Sequence, residues 1–144
     1  MPMTPDEIDA FLAEPRNAIV STLNPDGSAQ LSPIWFVWED GVVYFSTTKH
    51  RLKVKNLRRD PRISFVVDDP GPPQRTVTFR GEVHSIEEGL GTVTERIARK
   101  YSPDGSAYES IANTPGRVVV AFRPSRTLTW RDAADRREHV QKYR

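Results

Sequence analysis

The chain has 144 residues, of which 37% are hydrophobic and 28% are charged, and its formal net charge is only +2. This length and composition suit one globular domain, so we expect a single domain over residues 1–144. No apolar run is long enough to span a membrane and no signal-peptide core is present, which predicts a cytoplasmic protein without a membrane partner. The absence of cysteine excludes disulfides, thiolate nucleophiles and zinc–cysteine sites.

An amphipathic helix is predicted at the start of the chain, within residues 1–15. Thr4 and Glu7 have the spacing of a capping box, and Pro5 stands at the first helical position. The apolar residues that follow recur at helical spacing. We therefore expect one face of this helix to pack on the core.

The remainder of the chain alternates β-type runs with turns and two helices. The Asn-Pro-Asp-Gly segment at residues 24–27 favours a hairpin turn, and Gly81 marks a bulge or a close approach within a strand. A helix is predicted over residues 87–101, with two glutamates at its N-terminus, and residues 131–144 form a charged tail. Six strands with helices after the third and fifth predict a mainly β (α+β) fold, an antiparallel barrel with peripheral helices. The predicted strands are residues 18–23, 29–38, 42–47, 63–67, 76–85 and 117–122, the last resuming at 127–130.

The segment after the third strand carries the clearest chemical signal. Seven of the chain's 21 Lys and Arg residues lie within residues 49–62, against one acid, Asp60. Ser46 and Thr47 come directly before it, at the end of the predicted strand. A strand that ends in hydroxyls and leads into a basic helix suits a phosphate, because the helix N-terminus adds free N–H groups and a positive dipole end. The pattern indicates a ligand with an anionic group.

Lys53 is the cation whose position needs a reason. On a helix it falls between Leu52 and Leu57, on the apolar face. An unpaired ammonium in apolar surroundings is costly, and a bound phosphate would pair it. The alternative is that Lys53 extends to the rim and the helix is simply solvated. The other cations of this helix share the opposite face: Arg51, Lys55, Arg58 and Arg59.

No other motif specifies chemistry as clearly. The Gly89 and Gly91 pair lacks the third glycine of a dinucleotide fingerprint. The histidines lack metal-ligand spacing, so no metal site is expected, and no nucleic-acid partner is expected because the basic residues cluster at one helix. We expect the tryptophans in the core or at an interface, the alternative being a surface that stacks on a flat ring. These residues are His50, His84 and His139, and Trp35, Trp38 and Trp130.

Two segments together resemble a known family. They are residues 26–33, Asp-Gly-Ser-Ala-Gln-Leu-Ser-Pro, and the Ser46-Thr47 pair followed by Arg51-x-Lys53-x-x-Asn-Leu-Arg-Arg-Asp-Pro-Arg. With the order of elements, they resemble the pyridoxamine 5′-phosphate oxidase-like, flavin-reductase split β-barrels, in the branch that uses the deazaflavin coenzyme F420. The resemblance spans about residues 8–130. The FMN-using oxidases carry cations on the second strand, whereas residues 28–31 have none.

The resemblance implies a six-stranded split barrel and a set of coenzyme-binding residues. Arg51 and Lys53 would hold the coenzyme phosphate, with help from the hydroxyls at the end of the third strand. Residues of the second strand would lie along the deazaflavin ring, and Asn56 would support the phosphate loop. Pro33 departs from relatives that place a polar side chain there, and it has no N–H to donate. The implied set is Gln30, Ser32, Pro33, Ser46, Thr47, Arg51, Lys53 and Asn56.

The implied activity is hydride transfer between F420 and a conjugated small-molecule acceptor. Family members are homodimers with the coenzyme at the subunit interface, so residues of a partner, near Arg75 or Trp130, would complete the site. No catalytic side chain is assigned, since the chemistry belongs to the cofactor; Tyr44 and water are candidate proton donors. Two alternatives remain open from the sequence: an FMN-binding flavoprotein and a non-catalytic F420 carrier.

Overall fold

The first helix begins as its sequence predicts. In the computed structural model, which describes residues 1–133, α1 spans Pro5–Ala13. The Thr4 hydroxyl accepts from the Glu7 N–H over 3.2 Å, and the Glu7 carboxylate accepts from the Thr4 N–H over 3.3 Å. Phe11 and Leu12 are buried. The capping box is confirmed, and α1 packs on the core through the apolar face that its spacing predicts.

All strand pairs of the sheet are antiparallel, which confirms the mainly β fold with peripheral helices. The predicted number of strands is wrong, because the sheet has seven. The run at residues 29–38 breaks at Trp35 and Phe36, where the Phe36 ring turns into the core and its N–H donates to the Tyr101 hydroxyl. The strands are β1 (Ala18–Leu23), β2 (Ala29–Ile34), β3 (Val37–Glu39), β4 (Val42–Thr48), β5 (Arg62–Asp69), β6 (Arg75–Glu88) and β7 (Arg117–Arg131).

The strand order, β2-β1-β5-β6-β7-β4-β3, places two strands that follow one another in sequence at opposite edges of the sheet. Only residues 35–36 join β2 to β3, so the sheet must curl until these two edge strands come close together at one end. Phe36 packs edge-on against Phe65 of β5 at 5.0 Å, and Trp38 of β3 stacks on Phe79 of β6 at 4.9 Å. The curled sheet is a barrel around an aromatic core, split between β2 and the β3–β4 pair.

The short β3 leaves a gap in this barrel. It pairs with residues 42–44 of β4, and the rest of β4 pairs only with β7 among the described strands. One edge of β4 around Ser46 and Thr47 therefore faces the split, opposite the free edge of β2. Backbone groups and side chains at two unpaired edges are available to a ligand.

Three further helices lie outside the sheet: α2 (Leu52–Arg59), α3 (Val93–Tyr101) and α4 (Ser106–Ala112). The predicted basic helix is present as α2. The helix predicted from residue 87 instead begins at Val93, because Glu87 and Glu88 continue β6 and pair with β7. The two glutamates are therefore strand residues, and α4 lies in a segment for which no helix was predicted.

Long β6 and β7 pair with each other through a bulge. The register shifts at Arg80 and Gly81, where a Cβ on Gly81 would come within 3.0 Å of the Arg123 carbonyl oxygen, so the predicted close approach is confirmed. The two pieces predicted for the last strand form one strand, β7. Within residues 1–133 no helix is both long and apolar enough to cross a membrane. The predicted tail lies outside the described residues from residue 134 onward.

Candidate functional site

A cavity of about 460 Å³ opens in the split of the barrel. The edge of β2 forms one side of it, and the end of β4 with the start of β7 forms the other. Helix α2 adds two cations, and α3 and α4 contribute one isoleucine each. Six of the eight residues implied by the resemblance line this cavity, and Gln30 and Asn56 do not. The lining residues are Ser32, Pro33, Ile34, Trp35, Ser46, Thr47, Arg51, Lys53, Ile97, Ile111 and Arg117.

One end of the cavity is cationic. Lys53 is half-buried, and burial, followed by the charge of Arg51, lowers its pKa from the ordinary lysine value. Burial, again followed by Arg51, also lowers the pKa of Arg117. Within residues 1–133, no carboxylate forms an ion pair with any of these three cations. An anion bound here would relieve their mutual repulsion and replace lost hydration.

Helix α2 presents its N-terminus at the same end. β4 ends at Thr48, and the chain turns tightly, with the Lys49 N–H donating to the Gly116 carbonyl and the Arg51 N–H donating to the Thr48 carbonyl. Arg51 is the N-cap residue, and no side chain caps the helix. Free N–H groups and the positive end of the helix dipole therefore meet the three cations, which is the arrangement that binds phosphate.

Arg117 is a site residue that the sequence reasoning missed. Its Nη2 donates to Ser46 Oγ over 2.8 Å, and its buried Nε has no partner within the described chain. The sequence signal for this residue was weak, because Arg117 is 66 residues from Arg51. The two come close only because β4 pairs with β7, with Thr48 opposite Arg117. A cation directly after a glycine and at the start of an apolar strand was the available hint.

Two polar atoms on β2 also lack partners. Gln30 Oε1 and Ser32 Oγ are buried and make no hydrogen bond within residues 1–133. Gln30 and Ser32 lie two residues apart, so their side chains share one face of the edge strand. A buried polar atom without a partner is costly, and a ligand along this edge would satisfy both. Gln30 thus belongs to the edge that borders the cavity, although it does not line the cavity itself.

Asn56 has a structural role outside the cavity. It is buried, and its Nδ2 donates to Thr22 Oγ1 over 3.1 Å and to Asn24 Oδ1 over 3.0 Å. Arg59 donates to Asn56 Oδ1 and to the Leu23 carbonyl. These bonds hold α2 against β1 and its turn. Direct contact with a ligand in the cavity is not supported, and Asn56 acts by positioning the helix.

The other end of the cavity is apolar. Trp35 stacks on Tyr101 with parallel rings and centroids 4.8 Å apart, and the partly buried Ile111 and the almost fully buried Ile97 also line the cavity. The expected core role of tryptophan holds for Trp38, which stacks on Phe79, but Trp35 is 38% exposed at the cavity wall. Tyr44, a candidate proton donor, lines a separate groove outside the cavity.

The comparisons with known proteins agree with this architecture. The sequence profile described as pyridoxamine 5′-phosphate oxidase matches residues 4–131. The chain belongs to the pyridoxamine 5′-phosphate oxidase family. Among solved structures, an F420 reductase is 30% identical, with a TM-score of 0.74, over 83% of this chain and 94% of that one.

Other structures of this fold carry different names. A conserved hypothetical protein from Mycobacterium tuberculosis is 28% identical, with a TM-score of 0.76, over 90% of this chain and 85% of that one. An FAD-binding protein from Mesorhizobium loti is 17% identical, with a TM-score of 0.64, over 92% of this chain and 98% of that one. The last likeness concerns the fold alone. The fold is thus shared by proteins with different names, and the ligand of this chain must be argued from its own cavity.

Proposed function

We propose that this protein is a coenzyme F420-dependent oxidoreductase that reduces a conjugated small molecule. The carrying observation is the cluster of Arg51, Lys53 and Arg117 around an uncapped helix N-terminus, with no acidic partner in the described chain. A bound anion would pair with the half-buried Lys53 and with Arg117, whose Nε has no partner in the described chain. The coenzyme phosphate would bind there.

The free edge of β2 fits the ring of the coenzyme. Ser32 Oγ can donate or accept a hydrogen bond, and Gln30 Oε1 can accept one, so both suit the polar edge of a deazaflavin. Pro33 offers a flat apolar surface and no N–H, so the ring would gain contact but no backbone donor from that residue. Residues on β2 would therefore orient the ring while the cationic end fixes the phosphate.

Bound in its reduced form, the coenzyme supplies a hydride to the acceptor, and a proton from water completes the two-electron reduction. The chain's own contribution is binding, orientation and exclusion of solvent. No carboxyl, histidine or tyrosine side chain lines the cavity within the described residues. A side-chain proton donor is therefore not proposed, and Tyr44 is set aside because it lies outside the cavity.

Two observations favour F420 over FMN. Residues 28–31 carry none of the cations that mark the second strand of the FMN-using oxidases. The F420 reductase that matches this chain is 30% identical and is covered over 94% of its length. The same cationic end would accept the phosphate of FMN, so FMN stays the alternative cofactor. A carrier that binds F420 without turnover is the second alternative.

We also propose that the protein is a homodimer whose partner lies beside the cavity. One cross-strand row on the outer face of the barrel is mostly apolar, and Ile19 and Leu128 within it are 38% and 44% exposed. Leu31 and Trp130 flank it, and they are 63% and 47% exposed. Pro33 belongs to the row and also lines the cavity, so a second copy on this face would border the site. The row is Pro33, Ile19, Val66, Thr78 and Leu128.

Titration of the purified protein with F420 and with FMN, monitored by coenzyme fluorescence, tests the proposal. We expect F420 to bind more tightly. FMN binding more than tenfold tighter would make the protein a flavoprotein, and binding of neither would remove both the reductase and the carrier. Oxidation of reduced F420 in the presence of a quinone then separates the reductase from the carrier.

A further inference from the structure

Trp35 is held rigidly although its side chain is partly open to the cavity. One face of its indole stacks on the Tyr101 ring, parallel and 4.8 Å away, and 38% of the residue is exposed. A partly exposed tryptophan that packs on another ring with one face can stack on a ligand with its other face. Little rotamer entropy is lost when such a side chain binds, because it is already ordered.

Tyr101 is itself fixed by two hydrogen bonds. Its hydroxyl donates to the Arg16 carbonyl over 2.7 Å and accepts from the Phe36 N–H over 3.3 Å. Burial raises the pKa of Tyr101 to about 12, so the hydroxyl keeps its proton at neutral pH. Lys100 holds the backbone next to Trp35, since its Nζ donates to the Leu12 carbonyl over 2.6 Å and to the Phe36 carbonyl over 3.0 Å. The residue next to Trp35 is thus held through both its N–H and its carbonyl.

The surface around Trp35 is apolar. Ile97 lies one helical turn before Tyr101 on α3, on the same face of that helix. Ile111 of α4, which packs on α3, lines the same cavity. The charged side chains that line the cavity belong to α2 and β7. The cavity is therefore divided into a cationic end and an aromatic–aliphatic end.

We propose that Trp35, Ile97 and Ile111 form a subsite for the acceptor, and that its ligand is a flat, uncharged, electron-poor conjugated ring. An electron-rich indole face favours stacking with such a ring, and the absence of a charged side chain from α3 and α4 in the lining favours a neutral one. That the bound ring is the hydride acceptor rests on the proposed function. That a ring binds against Trp35 does not.

The test measures binding to the coenzyme-free protein. The probe is duroquinone, a flat neutral quinone, and cyclohexane-1,4-dione serves as the unconjugated control ligand. The variants are Trp35→Leu, which removes the ring, and Trp35→Phe, which keeps a smaller one. Trp38→Phe is the matched control, because Trp38 also stacks on an aromatic ring, that of Phe79, but does not line the cavity.

We expect duroquinone to bind the wild type and the dione not to bind. Trp35→Leu should weaken duroquinone binding about tenfold, the ratio that corresponds to about 1.4 kcal/mol, with Trp35→Phe between it and the wild type. Trp38→Phe should bind as the wild type does. In all variants the affinity for F420 should stay within about twofold of the wild type, the scale of a weak rim effect.

Several results would overturn the subsite. They are no duroquinone binding by the wild type, equal binding by wild type and Trp35→Leu, and equal losses of duroquinone and F420 in Trp35→Leu. The last would mean that Trp35 carries the coenzyme ring, and the proposed function would stand. If the protein binds no F420 but Trp35→Leu still loses duroquinone, the subsite stands and the proposed function falls. Should Trp35→Leu fold poorly, Trp35→Phe decides by the same comparison.

Discussion

Arg117 donates from Nη2 to Ser46 Oγ over 2.8 Å, while its buried Nε has no partner in the described chain. Nη2 is therefore used to fix the guanidinium on β4, and Nε remains without a partner in the described chain. Arginine binds phosphate best through two parallel N–H groups, a geometry that lysine cannot reproduce. The Arg117–Ser46 bond fixes the guanidinium of a residue that lines the cavity.

Replacing Arg117 with lysine tests whether this geometry matters. Arg117→Lys keeps the charge and loses Nε, so we expect F420 binding to weaken by about 1 kcal/mol, and Arg117→Met to weaken it by about 1.5–3 kcal/mol. Fluorescence titration measures both. Arg99→Lys on the exposed face of α3 is the control and should bind as the wild type does. If Arg117→Lys binds equally well, Arg117 supplies charge alone.

Lys53 and Lys55 give a matched pair on one helix. Lys53 lines the cavity and is half-buried, whereas Lys55 is exposed. We expect Lys53→Ala to weaken F420 binding by about 1.5–3 kcal/mol, and Lys55→Ala by less than about 0.5 kcal/mol. Titration of both variants, with thermal unfolding as a check on the fold, provides the measurement. Equal losses would mean that α2 attracts anions diffusely.

Arg59 does not serve as the control for this pair. Its side chain donates to the Leu23 carbonyl and to Asn56, so it holds α2 against β1. Removing it would disturb the helix that carries Lys53. A loss of binding in Arg59→Ala would therefore report on the position of α2, which makes Lys55 the cleaner comparison.

Lys100 predicts a distinct pH dependence of stability. Burial, followed by the charge of Arg16, lowers its pKa from 10.5 to about 8 in the folded protein. Between these values the unfolded chain binds more protons than the folded one, so the Lys100 contribution to the free energy of unfolding rises as pH increases from about 8 to about 10.5. Urea unfolding at pH 7.5 and pH 10 measures the change.

The control for Lys100 is Lys100→Met, which has no titrating group. The difference in unfolding free energy between wild type and variant should shift in favour of the wild type at pH 10, because every other group titrates in both proteins. A difference that does not change with pH would contradict the lowered pKa. The neutral amine can still donate to the Leu12 and Phe36 carbonyls, so the corner around Trp35 should persist at high pH.

The outer apolar row predicts the assembly state. Leu128 is 44% exposed at one end of that row, and a charge there would oppose burial against a second copy. We expect the wild type to be a dimer at micromolar concentration and Leu128→Glu to be a monomer, as measured by light scattering. Leu52→Glu, at a leucine of similar exposure on α2, should stay dimeric. A monomeric wild type would remove the partner from the proposed site.

Local chemistry made part of the fold predictable. The capping box predicted α1, the Asn-Pro-Asp-Gly segment predicted the hairpin, and the basic run predicted α2, because each signal lies within a few adjacent residues. The break at residues 35–36 was missed because the apolar pattern continues across it. Only tertiary contacts, the Phe36 ring in the core and its N–H on Tyr101, reveal the change of direction.

The same distinction between local sequence signals and tertiary contacts applies to the candidate site. Arg51 and Lys53 were predictable because the helix that carries them also carries the signal. Arg117, Ile97 and Ile111 come to the cavity from β7, α3 and α4, and no local pattern connects those elements to α2. Asn56 belongs to the recognisable motif, yet its hydrogen bonds to Thr22 and Asn24 give it a structural role that its position in the motif does not disclose.

The two-residue link between β2 and β3 sets a mechanical limit on the molecule. Three Cα–Cα steps separate Ile34 from Val37, and even a fully extended chain spans no more than about 11 Å over them. The two margins of the barrel therefore cannot spread at this end, whatever molecule enters. Trp35 sits on that tether, so the width of the slot is set by covalent geometry. The separation of β2 and β3 beside Trp35 therefore cannot increase to admit a wider ligand, and a thin ring fits this part of the cavity best.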